Sequence, residues 1–109
     1  MAKEIEFHGT AKRDIRGFPD VARRLAGHQL DKVQRGEEPD DWKPMPAIGS
    51  GVKEVRIATT DGAFRVIYLE TLPDAVHVYH AFQKKTQKTA KRDIDLAKRR
   101  YDAHRRLKS

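Results

Sequence analysis

The chain has 109 residues, 36% charged and 38% hydrophobic, with no cysteine and one tryptophan, enough for one domain around a small core and too little for two. Without cysteine there is no thiolate nucleophile, disulfide, iron–sulfur cluster or Cys-based zinc site. No apolar run approaches the roughly 20 residues of a membrane span, and Met1-Ala2-Lys3-Glu4-Ile5-Glu6 lacks the apolar stretch of a secretory signal, so a single cytoplasmic domain over residues 1–109 is expected. The net charge of +7 is concentrated at one end: from Gln83 to Ser109 eleven Lys or Arg face three Asp, leaving the first 82 residues at −1. Such a basic end marks a polyanion binder, because each cation placed near a phosphate releases a condensed counterion. The segment lacks the Trp/Phe/Leu face of an interfacial helix, so a membrane is not the expected partner.

Lys3 to His8 alternates charged residues with Ile5 and Phe7 and meets Gly9, which predicts a short half-buried strand. Thr10 is placed to cap a helix carrying Ala11, Ile15 and Phe18, and Phe18-Pro19-Asp20 breaks and restarts it. The second helix sets Val21, Ala22, Leu25, Ala26, Leu30 and Val33 on one stripe and stops at Gly36. Glu37 to Gly51, with three prolines and two glycines, reads as a loop long enough to suggest a function. Strands are predicted over Val52–Thr59, Ala63–Leu69 and Ala75–Phe82, the first two joined at Asp61-Gly62 and the last two by a turn at Leu72-Pro73-Asp74. A terminal basic helix over about 90–108 carries a narrow apolar edge of Ile94, Ala97, Tyr101 and Leu107. The order predicts an α+β domain with an antiparallel sheet and helices on one side.

Metal and nucleotide chemistry find little support. His77 and His80 are three apart on one strand and so point to opposite faces. His8, His28 and His104 lie in separate elements, and there is no His-Glu-x-x-His. Gly49-Ser50-Gly51 is a lone turn without a Walker Lys-Ser/Thr or a Rossmann spacing. No metal and no cofactor are expected. What remains is a set of cations and proton-transfer groups on the meander: Glu54 and Arg56, then Arg65 and Tyr68, then His80, with Lys84 and Lys85 just beyond. Arg65 sits amid Phe64, Val66, Ile67 and Tyr68, where a charge is expensive unless it is paired, with Glu54 or Glu70, or placed at a binding face. His80 fits a hydrogen-bonded core histidine as well as a proton-transfer group. Acting together, such groups suit RNA cleavage by an adjacent 2′-OH, in which cations stabilise the charged phosphorane and a titratable side chain exchanges protons.

Gly51-Val52-Lys53-Glu54-Val55-Arg56, Phe64-Arg65-Val66-Ile67-Tyr68 and His80-Ala81-Phe82-Gln83-Lys84-Lys85-Thr86-Gln87-Lys88-Thr89 resemble the RelE/HigB-type toxins of type II toxin–antitoxin systems, in the phage-derived branch of the RelE/ParE superfamily. Phe18-Pro19, Gln34-Arg35-Gly36 and Lys43-Pro44-Met45 extend the likeness over nearly the whole chain. The resemblance implies a RelE-like α+β fold, a small curved antiparallel sheet with two N-terminal helices and a C-terminal helix. It implies a metal-independent mRNA endoribonuclease that cuts on the ribosome and inhibits translation, neutralised by a cognate antitoxin, in this branch often a helix-turn-helix DNA-binding protein. By position, Arg65 matches the strand arginine assigned to the scissile phosphate and Lys84 or Lys85 the basic residue ending the third strand, while Glu54, Arg56, Tyr68 and His80 match recurring positions. Lys85, Lys88, Lys91, Arg92, Arg99 and Arg100 are the expected RNA contacts. Two alternatives stand beside this reading, a non-catalytic nucleic-acid-binding module and a ParE-type gyrase inhibitor, since fold alone does not settle activity.

Overall fold

The computed structural model describes residues 2–108, so Met1 and Ser109, the ends of the expected domain, lie outside the described residues. In chain order the elements are β1 (Glu4–Phe7), α1 (Ala11–Arg16), α2 (Asp20–Gln34), β2 (Trp42–Pro44), β3 (Val52–Thr59), β4 (Gly62–Leu69), β5 (Ala75–Lys84) and α3 (Lys91–Lys108). The α+β class holds: five strands form one open sheet in the order β1-β5-β4-β3-β2. Among the described residues no helix is long and apolar enough to cross a membrane.

The expected meander is present in register, with Val55 opposite Val66, Ile57 opposite Phe64 and Val66 opposite Ala81. Thr59 pairs with Gly62, so Thr60 and Asp61 make the connection and Gly62, at φ 128°, opens β4. Two features of the sheet differ from expectation. β1 pairs with β5 in parallel, which makes the sheet mixed; a strand's direction relative to a partner about 70 residues away is not written in its alternation. The loop from Glu37 to Gly51 contains β2, three residues that pair antiparallel with β3 from Trp42↔Val55 to Pro44↔Lys53. Its proline is tolerated because β2 is the edge strand.

The helices cover both faces rather than one. On one side α1 and α2 bring Ala11, Ile15, Phe18, Ala22, Ala26, Leu30 and Val33 against Val55, Ile57, Phe64, Val66, Tyr68, Val76 and Val78. On the other, Met45, Ile48 and Ala97 of α3 pack with Val52, Ile67, Leu69 and Tyr79. The apolar stripe of α2 is narrower than its composition suggests: Val21 and Leu25 are exposed, and Gln29 is buried in their stead, exchanging hydrogen bonds of 2.8 Å with the Asp40 side chain and backbone. Thr10 stands at the N-cap of α1 without capping it; its hydroxyl donates to the Asp14 carboxylate at 2.7 Å. Gly36, at φ 83°, follows the C-cap of α2 where the sequence places the stop.

An irregularity in β5 sets the geometry of everything below. Ile67 pairs with His80 and Tyr68 with Val78, so Tyr79 is an extra residue, a β-bulge. One added residue reverses strand parity. His80 therefore joins Phe82 on the α3 face and leaves the face of Val76 and Val78, and His77 and His80 share a face rather than opposing each other.

Two glycines test this packing. A Cβ on Gly27, inside α2, meets open space, whereas one on Gly49 runs into the Tyr101 ring. Gly27→Ala is expected to raise unfolding free energy by about 0.5–1 kcal/mol. Gly49→Ala should lower it by about 1–3 kcal/mol, both read by urea denaturation.

Candidate functional site

Strand parity selects the members of the site. Arg56 lies directly opposite Arg65, and Glu54 is opposite both Lys43 and Ile67, so Lys43, Glu54, Arg56 and Arg65 share the α3 face of the sheet with His80 and Lys84. Two guanidinium-bearing residues opposite one another on neighbouring strands repel, and the arrangement holds because carboxylates are set beside them. Arg56 Nε lies 3.6 Å from Asp41 Oδ1, and Arg65 Nε lies 3.5 Å from Glu54 Oε1.

Glu54 has 0% of its surface exposed. Its Oε2 accepts a 2.8 Å hydrogen bond from the Thr89 hydroxyl, and Lys43 Nζ stands 4.0 Å from Oε1. This carboxylate cannot meet a substrate, so it acts through its neighbours: it fixes Arg65, whose Nη1 also donates to the Phe64 carbonyl at 3.0 Å. Arg65 is 8% exposed, and burial pulls its affinity for a proton below the ordinary arginine value while Glu54 supports it. Of the two pairings the sequence allowed for Arg65, the structure has the one with Glu54; Glu70 is bound instead to Lys53 at 2.7 Å.

His80 is buried as well, stacked on Phe82 at 4.8 Å between ring centres, with Nε2 2.8 Å from Asp93 Oδ1 in the first turn of α3. Burial lowers its pKa and the Asp93 carboxylate opposes that shift. Its Nδ1 has no hydrogen-bond partner among the described residues. Lys84, half-exposed at the end of β5, has its pKa lowered by partial desolvation and then by the Arg65 charge. Phe82, Lys84, Lys85, Thr86, Arg92 and Asp93 line a cleft between the end of β5 and the start of α3.

Tyr68 is the member that does not assemble. It is an odd number of residues from Arg65 on one strand and faces the opposite side, buried in the α1/α2 core. Its hydroxyl is buried beside Lys53 and Glu70, and desolvation pushes its pKa up, which keeps the proton on. Among the expected RNA contacts, Lys85, Lys88, Lys91, Arg92 and Arg99 are exposed. Arg100 is committed to the fold: Nη1 donates to the Tyr79 carbonyl at 2.9 Å and Nη2 to the Thr10 hydroxyl at 3.1 Å.

Sequence reasoning did not single out Lys43, Thr89 or Asp93 as site residues. Lys43 needs β2 to be recognised as a strand, and Thr89 and Asp93 act across the loop that closes β5 onto α3. Nor did it bring together His8, His77 and His104, whose ring nitrogens lie within 4.8 Å of one another away from this cleft.

With that geometry in place, comparison with known proteins identifies the chain. Residues 13–102 match the family described as phage derived protein Gp49-like (DUF891), and the chain belongs to that family, which is RelE-like and associated with toxin–antitoxin systems. No curated protein matches the chain.

Removing the Glu54 carboxylate leaves Arg65 buried without its partner, so Glu54→Ala should cost about 3–5 kcal/mol in urea denaturation. For His80, NMR titration should place the midpoint below the unperturbed value of about 6.5, and Asp93→Asn should lower it further by removing the attraction that offsets burial. Because the folded pKa is depressed, the unfolded chain takes up this proton first, and the contribution of His80 to stability declines as pH falls from about 6.5 towards its folded pKa.

Proposed function

We propose that the chain is the toxin of a type II toxin–antitoxin pair and cleaves mRNA on the ribosome without a metal. The observation that carries this reading is the directly opposed Arg56 and Arg65, with Lys84 on the same face and exposed Lys85, Lys88, Lys91 and Arg92 alongside. Two arginines opposed across a strand pair cost stability, and a polyanion is the ligand that turns that cost into affinity.

In the proposed reaction the 2′-oxygen attacks the adjacent phosphorus and the bond from phosphorus to the 5′-oxygen breaks, leaving a 2′,3′-cyclic phosphate and a 5′-hydroxyl. Arg65, held by Glu54, and Arg56 neutralise the charge that gathers on the phosphorane oxygens. Lys84 donates a proton to the departing 5′-oxygen, a role suited to an ammonium whose pKa is lowered. The 2′-OH proton passes to solvent water. Glu54, Thr89, His80 and Asp93 are positioning residues in this scheme, since the first is sealed from solvent and the His80–Asp93 pair ties β5 to α3. Exposed cations of the loop and α3 add affinity for messenger and ribosomal RNA. A cognate antitoxin, of the helix-turn-helix kind that the family resemblance implies, silences the toxin by covering this face.

The test is induced expression in bacteria with growth followed and 5′ ends of a reporter mRNA mapped. Wild type should arrest growth and produce new 5′ ends. Lys84→Ala, at a half-exposed strand end, should fold normally and lose cleavage by on the order of 10²-fold. Arrest with intact mRNA and damaged DNA would select the gyrase reading. Cleavage-free arrest that survives Lys84→Ala and is abolished by charge reversals on α3 would select the non-catalytic binding module.

A further inference from the structure

Away from the cleft, at the other end of β5, three histidines from distant parts of the chain meet: His8 just after β1, His77 in β5 and His104 in α3. Ring centres of His77 and His104 are 4.1 Å apart, those of His8 and His104 4.6 Å, and those of His8 and His77 5.2 Å. His8 Nε2 lies 3.0 Å from His77 Nδ1. The Glu6 carboxylate reaches the same His77 nitrogen at 3.7 Å. We propose that His8, His77 and His104 form a binding site for a divalent transition-metal ion of the zinc class, with Glu6 or water at the fourth position.

Three arguments support this. The first is the donor set: neutral imidazoles with one carboxylate suit Zn²⁺ and its neighbours, whereas Mg²⁺ and Ca²⁺ require oxygen ligands. The second lies in the outer contacts, which orient the rings. Both Asp74 oxygens stand 3.2 Å from His77 Nε2, so that nitrogen carries the proton and Nδ1 turns its lone pair towards His8 and Glu6. The Tyr79 hydroxyl is 2.8 Å from His104 Nδ1 and can accept a hydrogen bond from it, and in that tautomer Nε2 is the donor atom to a metal. A carboxylate, carbonyl or water behind the ligating ring is the usual support of a metal-bound histidine, and Asp74 and the Tyr79 hydroxyl stand in those places here. The third is access. His77 and His104 are buried while His8 is half-buried and the Glu6 side chain is 57% exposed, which gives an ion one open side from which to enter. Arg100, a nearby cation, is turned to Thr10 and the Tyr79 carbonyl.

A bound ion would fasten the last turns of α3 to β5 and the end of β1. None of its ligands belongs to the cleft proposed for RNA, so the site stands or falls separately from that function. The test uses tag-free full-length protein stripped with chelator, titrated with Zn²⁺ by calorimetry and with Co²⁺ by visible absorption, alongside thermal melting. One equivalent per chain is expected, with the absorption of a four-coordinate Co²⁺ and a higher melting temperature. His8→Ala, at a half-exposed position that keeps the fold, should weaken binding at least tenfold, and His28→Ala should bind like the wild type. No saturable binding to the wild type, or binding that His8→Ala leaves within twofold, would overturn the proposal.

Discussion

A carboxylate sealed inside the domain sets the terms for the rest of the structure. Glu54 is fully buried, and a charge in that position is tolerated only when it is paired and hydrogen-bonded. Its partners come from three places: the Thr89 hydroxyl from the loop before α3, Arg65 from β4 and Lys43 from β2. The same contact therefore fixes the edge strand, the centre of the sheet and the entry to α3. It also explains how an arginine comes to stand among Phe64, Val66 and Ile67. A strand interior that buries a guanidinium next to a carboxylate holds it in one rotamer, and a rigid cation is worth more against a developing charge than a mobile one on the surface.

The two faces of the sheet divide the work. The face under α1 and α2 is apolar and closed, so it stabilises without offering chemistry. The face under α3 is only partly covered. A small cluster around Ile67, Leu69, Tyr79 and Ala97 fills the middle, and polar groups hold both ends. The bulge at Tyr79 makes that division possible, because it places Tyr79 and His80 together on the α3 face, where regular alternation would put one of them in the opposite core. From there Tyr79 reaches His104 and His80 reaches Asp93.

Much of this was legible in the sequence, and where it was not the reasons are specific. Alternation of period two marks β3, β4 and β5 because each buries at least one face, and Asp61-Gly62 marks their first connection. The same rule of parity separates Arg65 from Tyr68, three positions apart on an unbulged strand. Applied to His77 and His80 it misleads, since the extra residue between them leaves no trace in the pattern. β2 is too short, and too rich in proline around it, to register as a strand. β1 shows its own alternation but not its parallel partner, which depends on contacts across about 70 residues. Val21 and Leu25 fall within the periodic stripe of α2, yet both are exposed while Gln29 is buried, which periodicity alone does not reveal.

The position of α3 follows from how little apolar surface it has. Of its four apolar edge residues Ala97 is fully buried and Leu107 is 86% exposed, so burial alone fixes neither its rotation nor its register. Directional contacts do that at three heights: Asp93 to His80, Arg100 to the Tyr79 carbonyl, and His104 to the Tyr79 hydroxyl. Each carries a distance and an angle, and a shift by one residue would turn the helix about 100° and break all three. With the helix held in that rotation, Lys91, Arg92, Arg99 and Arg105 are turned to solvent. A helix held by polar contacts along its inner side can carry a run of cations on its outer side without loss of register, which is how a weakly apolar segment comes to present a fixed basic surface.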